Sequence, residues 1–313
     1  MNELEHKRLL YKIATAYYDD GLTQQQIGGR FGLSRVKISR LLREAREDKV
    51  VQITIASPPG SNADLERHLE GVYGLKEALV VTSPPEPSAL VNDLGRVAAA
   101  CLARCLQGHE VVALSWGTAV LSVVNAMLPL VLPEVRVVQF LGGLGELEAE
   151  THGAELARRM AQALGAKPRL IHAPGIVKDR IIRDALVMDP QVADTLELAG
   201  RADVALVGIG AFELASTLLT NGSTLTAGEV ADLRACGVAG DIALQFFDAE
   251  GRRVDHPIND RIIGTDLERI RSIGRVIGVA GGPQKRCAIR AALRGRLINV
   301  LVTDEQTAKW LLE

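Results

Sequence analysis

The chain has too few cysteines, at the wrong spacings, to be held together by them. Its 313 residues contain four, Cys101, Cys105, Cys236 and Cys287, and no two form a Cys-x-x-Cys pair. That argues against a zinc site or a redox dithiol. Cys101 and Cys105 stand one helical turn apart in the pattern Val97, Cys101, Leu102, Cys105, Leu106, so both are expected in a core. No apolar run is long enough to span a bilayer. The first residues are charged and lack the apolar centre of a secretory signal, so a cytoplasmic protein with no membrane partner is expected. Neither Gly-x-Gly-x-x-Gly nor Gly-x-x-x-x-Gly-Lys-Ser/Thr occurs, which disfavours a dinucleotide or a nucleoside triphosphate. No solenoid-type repeat is visible, and nothing calls for a cofactor or a metal.

A large excess of positive charge is also missing. The net charge is −2, which does not suit a protein that coats DNA. The distribution is uneven, however. Residues 1–57 hold ten Lys and Arg against seven Asp and Glu, a surplus of +3 that leaves −5 for the rest. A modestly basic head on an acidic body suits a site-specific binder. Hydrophobic content of 47% with 24% charged residues indicates a globular chain, long enough for two domains. Ser57-Pro58-Pro59-Gly60-Ser61 is the natural break. It separates a domain over 1–57 from one over 58–313.

The head carries the most specific local pattern. Thr23 is a good N-cap, and Gln26 three residues on completes a capping box. Ile27 and Phe31 share one face of the short helix that follows, and Gly32 is placed to end it in a left-handed conformation. Ser34 caps a second helix, held to the first by Val36, Ile38, Leu41, Leu42 and Ala45. Arg35, Lys37, Ser39, Arg40, Arg43 and Arg46 are left for the outer face. This is a helix-turn-helix whose second helix would enter a DNA major groove. The helix Glu5 to Asp20 would support it, and the alternating run Val50–Ile55 would add a wing. Arg35 and Lys37, near the start of the recognition helix, are the candidates for base edges. Arg40, Arg43 and Thr23 are candidates for phosphates. Gln24, Ser34 and Ser39 complete the candidate DNA-contacting set. A helical hairpin with merely solvated arginines is the plainer alternative.

Beyond the break, short apolar runs alternate with helical segments. Strands are expected at Ala78–Val81, Val111–Leu114, Val135–Phe140, Arg169–Ile171, Val204–Val207, Ile242–Phe247, Val276–Val279 and Ile298–Val302. The alternation argues for a Rossmann-like α/β fold with a mostly parallel sheet. In such sheets ligands sit beyond the carboxyl ends of the strands. The segments there are Ser115-Trp116-Gly117-Thr118, Gly142-Gly143-Leu144-Gly145, Ala173-Pro174-Gly175, Gly208-Ile209-Gly210 and Gly281-Gly282-Pro283-Gln284-Lys285. All five carry glycines that would bring backbone amides to an anion, and Lys285 would supply a charge. Asp241 suits a sugar hydroxyl or a structural role equally. Asp248 reads as hairpin chemistry.

The chain resembles the SorC family of bacterial sugar-responsive transcriptional regulators, nearly end to end. The resemblance rests on Tyr17-Tyr18 before Gly21-Leu22-Thr23-Gln24, on Ser34 to Leu42, and on Ser115-Trp116-Gly117. It continues through Val138 to Gly143, Ala173-Pro174, Gly237 to Ile242, Gly281-Gly282 with Lys285, and Thr303-Asp304-Glu305. It implies a DNA-binding head and an effector domain similar to sugar-phosphate isomerases and deaminases, without their catalysis. It also implies dimers or tetramers and a phosphorylated sugar or polyol as effector. The family's ligand positions fall here on Trp116, Gly117, Thr118, Gly142, Gly143, Asp241 and Lys285; Pro174 and Gly208 join them from the strand ends. Where the family reads Ser-Trp-Gly-Arg-Thr, this chain reads Ser115-Trp116-Gly117-Thr118-Ala119, which moves or removes one hydroxyl contact to phosphate. The expected function is a regulator, a repressor of a sugar or polyol operon, bound to double-stranded operator DNA. The alternative is an isomerase- or deaminase-like enzyme with an accessory head. It would draw its acids and bases from Glu146, Glu148, Glu150, Asp241, His152 and His172.

Overall fold

A computed structural model describes residues 3–54, 56, 58, 60–84, 86–143, 153–212 and 225–313. The chain divides into two compact units, Met1–Pro59 and Gly60–Glu313.

The first unit consists of α1 (Glu3–Tyr18), α2 (Gln24–Phe31) and α3 (Arg35–Glu47). Each gives one face to a small core that includes Leu10, Ile13, Ile27, Ile38, Leu41 and Leu42. The capping box is formed. The Gln26 amide donates to Thr23 Oγ1 at 3.3 Å, and the Thr23 amide donates to Gln26 Oε1 at 2.9 Å. Gly32 closes α2 at φ 66°. Ser34 Oγ then accepts from the Lys37 amide at 3.2 Å. The turn depends on one further residue that spacing did not reveal. A Cβ on Gly28 would stand 2.6 Å from the Leu33 carbonyl oxygen. Overpacking of this kind costs about 1–3 kcal/mol. Alanine's better helix propensity returns about 1 kcal/mol. Gly28→Ala is therefore expected to destabilise the first unit by about 1 kcal/mol, the difference of those two terms. Urea unfolding followed by helical circular dichroism would show an earlier loss of signal, and an unchanged curve would mean that the turn relaxes freely.

The expected wing is not formed. Val50–Thr54 adopt no strand, and Ile55 lies outside the described residues. The Val51 amide donates back to the Ala45 carbonyl at 2.9 Å, and Lys49 is left-handed at φ 58°. The segment thus leaves α3 as a C-terminal turn and lays Val50 and Val51 on the small core.

The second unit opens with α4 (Ala63–Tyr73), β1 (Glu77–Val81), α5 (Pro87–Cys105), β2 (Val111–Leu114) and α6 (Thr118–Ala126). Next come β3 (Arg136–Gln139), α7 (Gly153–Leu164), β4 (Lys167–Arg169), α8 (Arg180–Val187), α9 (Pro190–Gly200) and β5 (Val204–Gly208). They are followed by β6 (Gly210–Ala211), α10 (Ala227–Ala235), β7 (Gly240–Ile242), β8 (Gln245–Phe247) and α11 (Leu267–Ser272). The last elements are β9 (Arg275–Val279), α12 (Arg286–Arg294), β10 (Val300–Asp304) and α13 (Glu305–Leu312). Seven strands form one sheet in the order β1-β10-β9-β5-β2-β3-β4, and every pairing is parallel.

Both faces of this sheet are buried along its inner strands, which explains why those strands read as continuous apolar runs, while the edge strand β4 is exposed. Val111 and Ala113 of β2 enter one core; Val112 and Leu114 enter the other. Residues of α5, α6 and α7 cover the second face, and residues of α4, α9, α12 and α13 cover the first. From β2 the chain winds outward through β3 and β4. It then returns to β5 on the other side of β2 and winds toward β1. The direction reverses between β2 and β5, the topological switch point where ligands bind in open α/β sheets.

Two strand expectations need correction. β4 occupies Lys167–Arg169, earlier than the expected Arg169–Ile171. The run Ile242–Phe247 is not one strand but most of a hairpin, in which β7 and β8 pair antiparallel through Ala243 and Leu244 at φ 52° and 63°. The Asp241 carboxylate accepts the Leu244 amide at 3.1 Å, and the Leu244 side chain is buried in a satellite core with Phe246. Those two interactions hold two non-glycine residues in a left-handed turn. β6, β7 and β8 form a small antiparallel sheet. At the next turn the Glu250 and Arg252 amides donate to Asp248 Oδ1, each at 2.9 Å. Cys101 is buried and Cys105 half-buried; Cys236 and Cys287 are exposed. Among the described residues no helix is long and apolar enough to cross a membrane.

Candidate functional site

In the first unit, α3 buries Ile38, Leu41, Leu42 and Ala45. Arg35, Ser39, Arg40 and Arg43 remain exposed, and with Gln24 they line an open trough of about 840 Å3. Arg43 lies 3.7 Å from Glu47. Among the described residues Arg35 and Arg40 enter no ion pair.

One expectation about this face is corrected. Val36 was expected to hold α3 to α2, yet it is 80% exposed and lines the trough. Two residues along a helix turn the side chain by about 200°, so Val36 points away from Ile38. Thr23 and Ser34 have hydroxyls committed to caps, and Thr23 Oγ1 also donates to Gln26 Oε1 at 3.0 Å. Neither lines the trough. Lys37 is exposed but stands to one side of it.

In the second unit a cavity of about 130 Å3 lies at the switch point. Ser115 to Ala119, following β2, form one wall, and Gly208 to Gly210, at the end of β5, form another. Asp241, Ala243 and Lys285 complete it. α6 begins at this wall with Gly117 as N-cap at φ 103° and no side-chain cap. Among the described residues its first amides and the positive end of its dipole therefore meet no acceptor side chain. Ser115 Oγ accepts the Gly208 amide at 3.1 Å and ties the two loops together. Trp116 is half-buried and packs on the satellite core.

Lys285 ends a single 3-10 turn, Pro283–Lys285, and Asp304 fixes the start of that turn. The Gly282 amide donates to Asp304 Oδ1 at 2.7 Å, and Ser83 Oγ donates to Asp304 Oδ2 at 3.0 Å. Burial works to raise the Asp304 pKa, but hydrogen bonds from Thr307, Gly282 and Ser83 outweigh it and hold the carboxyl below its usual range. The Thr303-Asp304-Glu305 motif thus positions Lys285 from a distance, a role that sequence spacing does not show. Gly210, expected at a strand end, also has a packing reason that spacing does not show: a Cβ there would stand 1.9 Å from Asp241 Oδ1.

The Lys285 amide donates to the Gly282 carbonyl at 3.1 Å, but the Lys285 ammonium makes no hydrogen bond or ion pair among the described residues. Burial lowers its pKa from the ordinary lysine value, against the charge of Asp241. Burial raises the pKa of Asp241, against the Leu244 amide and the charge of Lys285. For Lys285, the unfolded chain binds the proton more tightly, so stability rises with pH between the lowered folded value and 10.5. For Asp241, stability falls as pH climbs from 3.8 through the raised folded value. Both charges cost folding free energy at neutral pH, and an anion placed beside Lys285 would offset the lysine's share.

The cavity does not gather every expected residue. Trp116, Gly117, Thr118, Gly208, Asp241 and Lys285 meet there; Gly142, Gly143 and Pro174 do not line it. The Gly142 amide donates to the Ile263 carbonyl at 3.1 Å and the Gly143 amide to the Ala173 carbonyl at 2.9 Å. These loops bind each other, so their amides are not available to a ligand. Glu146, Glu148, Glu150 and His152 lie outside the described residues. His172 is exposed and lines a different cavity, with Arg136 and Arg169. Among the described residues, Asp241 and Lys285 are the titratable groups that line the switch-point cavity.

Residues 57–313 match the Sugar-bind family of sugar-binding domains. The chain is 34% identical over 321 residues to the Sorbitol operon regulator of Klebsiella pneumoniae, with 100% of both chains covered. It is 34% identical over 309 residues to the Deoxyribonucleoside regulator of Bacillus subtilis (strain 168), with 98% of each covered. The crystal structure of full-length SorC from Klebsiella pneumoniae matches with a TM-score of 0.77 and 34% identity, over 99% of this chain and 100% of that one. With the sugar-binding domain matched across most of its length and full-length identity to named regulators, the chain belongs to the SorC family of sugar-binding transcriptional regulators.

Proposed function

We propose that this protein is a repressor whose operator affinity is switched by a phosphorylated sugar or polyol bound at the switch-point cavity. The observation that carries the effector reading is Lys285, a half-buried ammonium without a partner among the described residues, on the wall shared with the start of α6, whose N-cap Gly117 supplies no side chain. A dianionic phosphate supplies what both groups lack. Asp241 would accept from sugar hydroxyls, and Trp116 would give the ring an apolar floor. The relatives named for a sorbitol operon and for deoxyribonucleosides support a carbohydrate-derived effector. The trough on α3 supports operator reading. Two heads of a dimer, or of a tetramer built from two dimers, would bind half-sites ~34 Å apart or a multiple of that. The effector acts by favouring one arrangement of the domains, and it shifts operator affinity only by its differential affinity for the two. Catalysis plays no part in this reading.

A thermal-shift screen of the full chain against sugar and polyol phosphates, beside their unphosphorylated parents, tests the effector class. A phosphorylated compound at a hundred times its Kd should add about 2.7 kcal/mol. The pH dependence is expected to have two limbs. Affinity should rise through about pH 6 as the phosphate takes its second charge. It should then fall at alkaline pH, below the ordinary lysine range, as Lys285 loses its proton. A shift with free sugars alone would defeat the phosphate reading and point to the altered Thr118-Ala119 wall.

A further inference from the structure

We propose that Val36 reads the 5-methyl group of a thymine in each operator half-site. The inference rests on the DNA-binding reading and adds a specificity residue to it.

Val36 is 80% exposed, and among the described residues it is the sole apolar side chain lining the α3 trough. Its neighbours there, including Arg35, Ser39, Arg40 and Arg43, are polar or charged. Positions 36, 39, 40 and 43 follow the i, i+3, i+4, i+7 spacing of one helix face. Val36 is the second residue of α3, and residues at the start of a recognition helix are those that reach base edges. Nothing among the unit's described residues accounts for a valine here. It contributes little burial, and a β-branched residue is a poorer helix former than alanine. The major groove displays one apolar group, the thymine methyl, among hydrogen-bond donors and acceptors. An isolated apolar side chain in a polar trough matches that pattern, and the arginines around it would hold the register through guanine edges and phosphates.

The test starts from duplexes with a randomised core, enriched on the full-length protein. Each thymine of the enriched duplex is then replaced singly by deoxyuridine, which removes the methyl and nothing else. Wild-type affinity is expected to fall about four-fold at one thymine per half-site, the worth of one buried methyl. Val36→Ala, a change on an exposed position that leaves the core intact, should bind the thymine and uracil duplexes equally at that position. Equal responses of wild type and Val36→Ala to every replacement would overturn the proposal, as would no response at any thymine. Failure to enrich any duplex would overturn the DNA-binding reading, and this inference with it.

Discussion

Replacing Lys285 with methionine is expected to lower effector affinity about ten- to a hundred-fold, the worth of a hydrogen bond to a charged group. Operator affinity in the absence of effector should not change. The substitution keeps most of the side chain's volume and removes its charge. That charge has no protein partner among the described residues, and its pKa is already lowered by burial. Its removal should leave the thermal midpoint near the wild-type value, with the loss of Asp241's countercharge set against the relief of lysine desolvation. Three measurements on one variant separate the explanations. Lost titration with normal melting and normal operator binding assigns the phosphate to Lys285. Lost titration with a collapsed melting point would indicate a packing role. An unaltered titration would place the anion elsewhere and remove the main support for the switch-point cavity as effector site.

The second large effect is expected at Arg35. Arg35→Ala should weaken operator binding by about 1–3 kcal/mol in each half-site and relax preference at one base pair. Well-separated half-sites add, so a symmetric operator should lose close to twice that. Arg43→Ala provides the contrast. A phosphate-contacting residue should weaken all sequences alike and reduce the salt dependence by about one counterion in each half-site. Binding curves over a panel of single-base operator variants, at two salt concentrations, distinguish the two patterns. If Arg35→Ala preserved the wild-type ranking of operators, its base-reading role would be excluded. Effector binding should be untouched in both variants, because both residues lie in the first unit.

Much of the fold was legible because its signals are local. A capping box, a left-handed glycine and a second cap lie within a dozen residues, so the helix-turn-helix could be read from Thr23 to Ser34. The inner strands of the main sheet were legible because burial on both faces makes each a short apolar run, whereas the exposed edge strand β4, Lys167–Arg169, carries no such run and was placed too late. The hairpin at Asp241 was not legible. Its turn uses Ala243 and Leu244, which carry no turn signal, and is held by a carboxylate and by Leu244's burial in a core assembled from distant segments. The wing failed for the opposite reason. Val50–Ile55 alternates like a strand, but a strand needs a neighbour, and the Val51 amide instead bonds the Ala45 carbonyl at the end of α3.

The candidate site shows the same division. Sequence by itself determined which residue types stand at the ends of strands, and it singled out Lys285, Asp241 and the Ser115-Trp116-Gly117 turn. It could not say which ends meet, because strand order is set by non-local pairing. Only the tertiary structure placed β2 beside β5, brought their loops to one cavity, and joined Gly142 and Gly143 to neighbouring backbone instead of to a ligand. Only the fold placed Asp304 behind the Lys285 turn. It also set the rotation of α3 that turns Val36 outward, since packing against α1 and α2 decides which side of an amphipathic helix meets solvent.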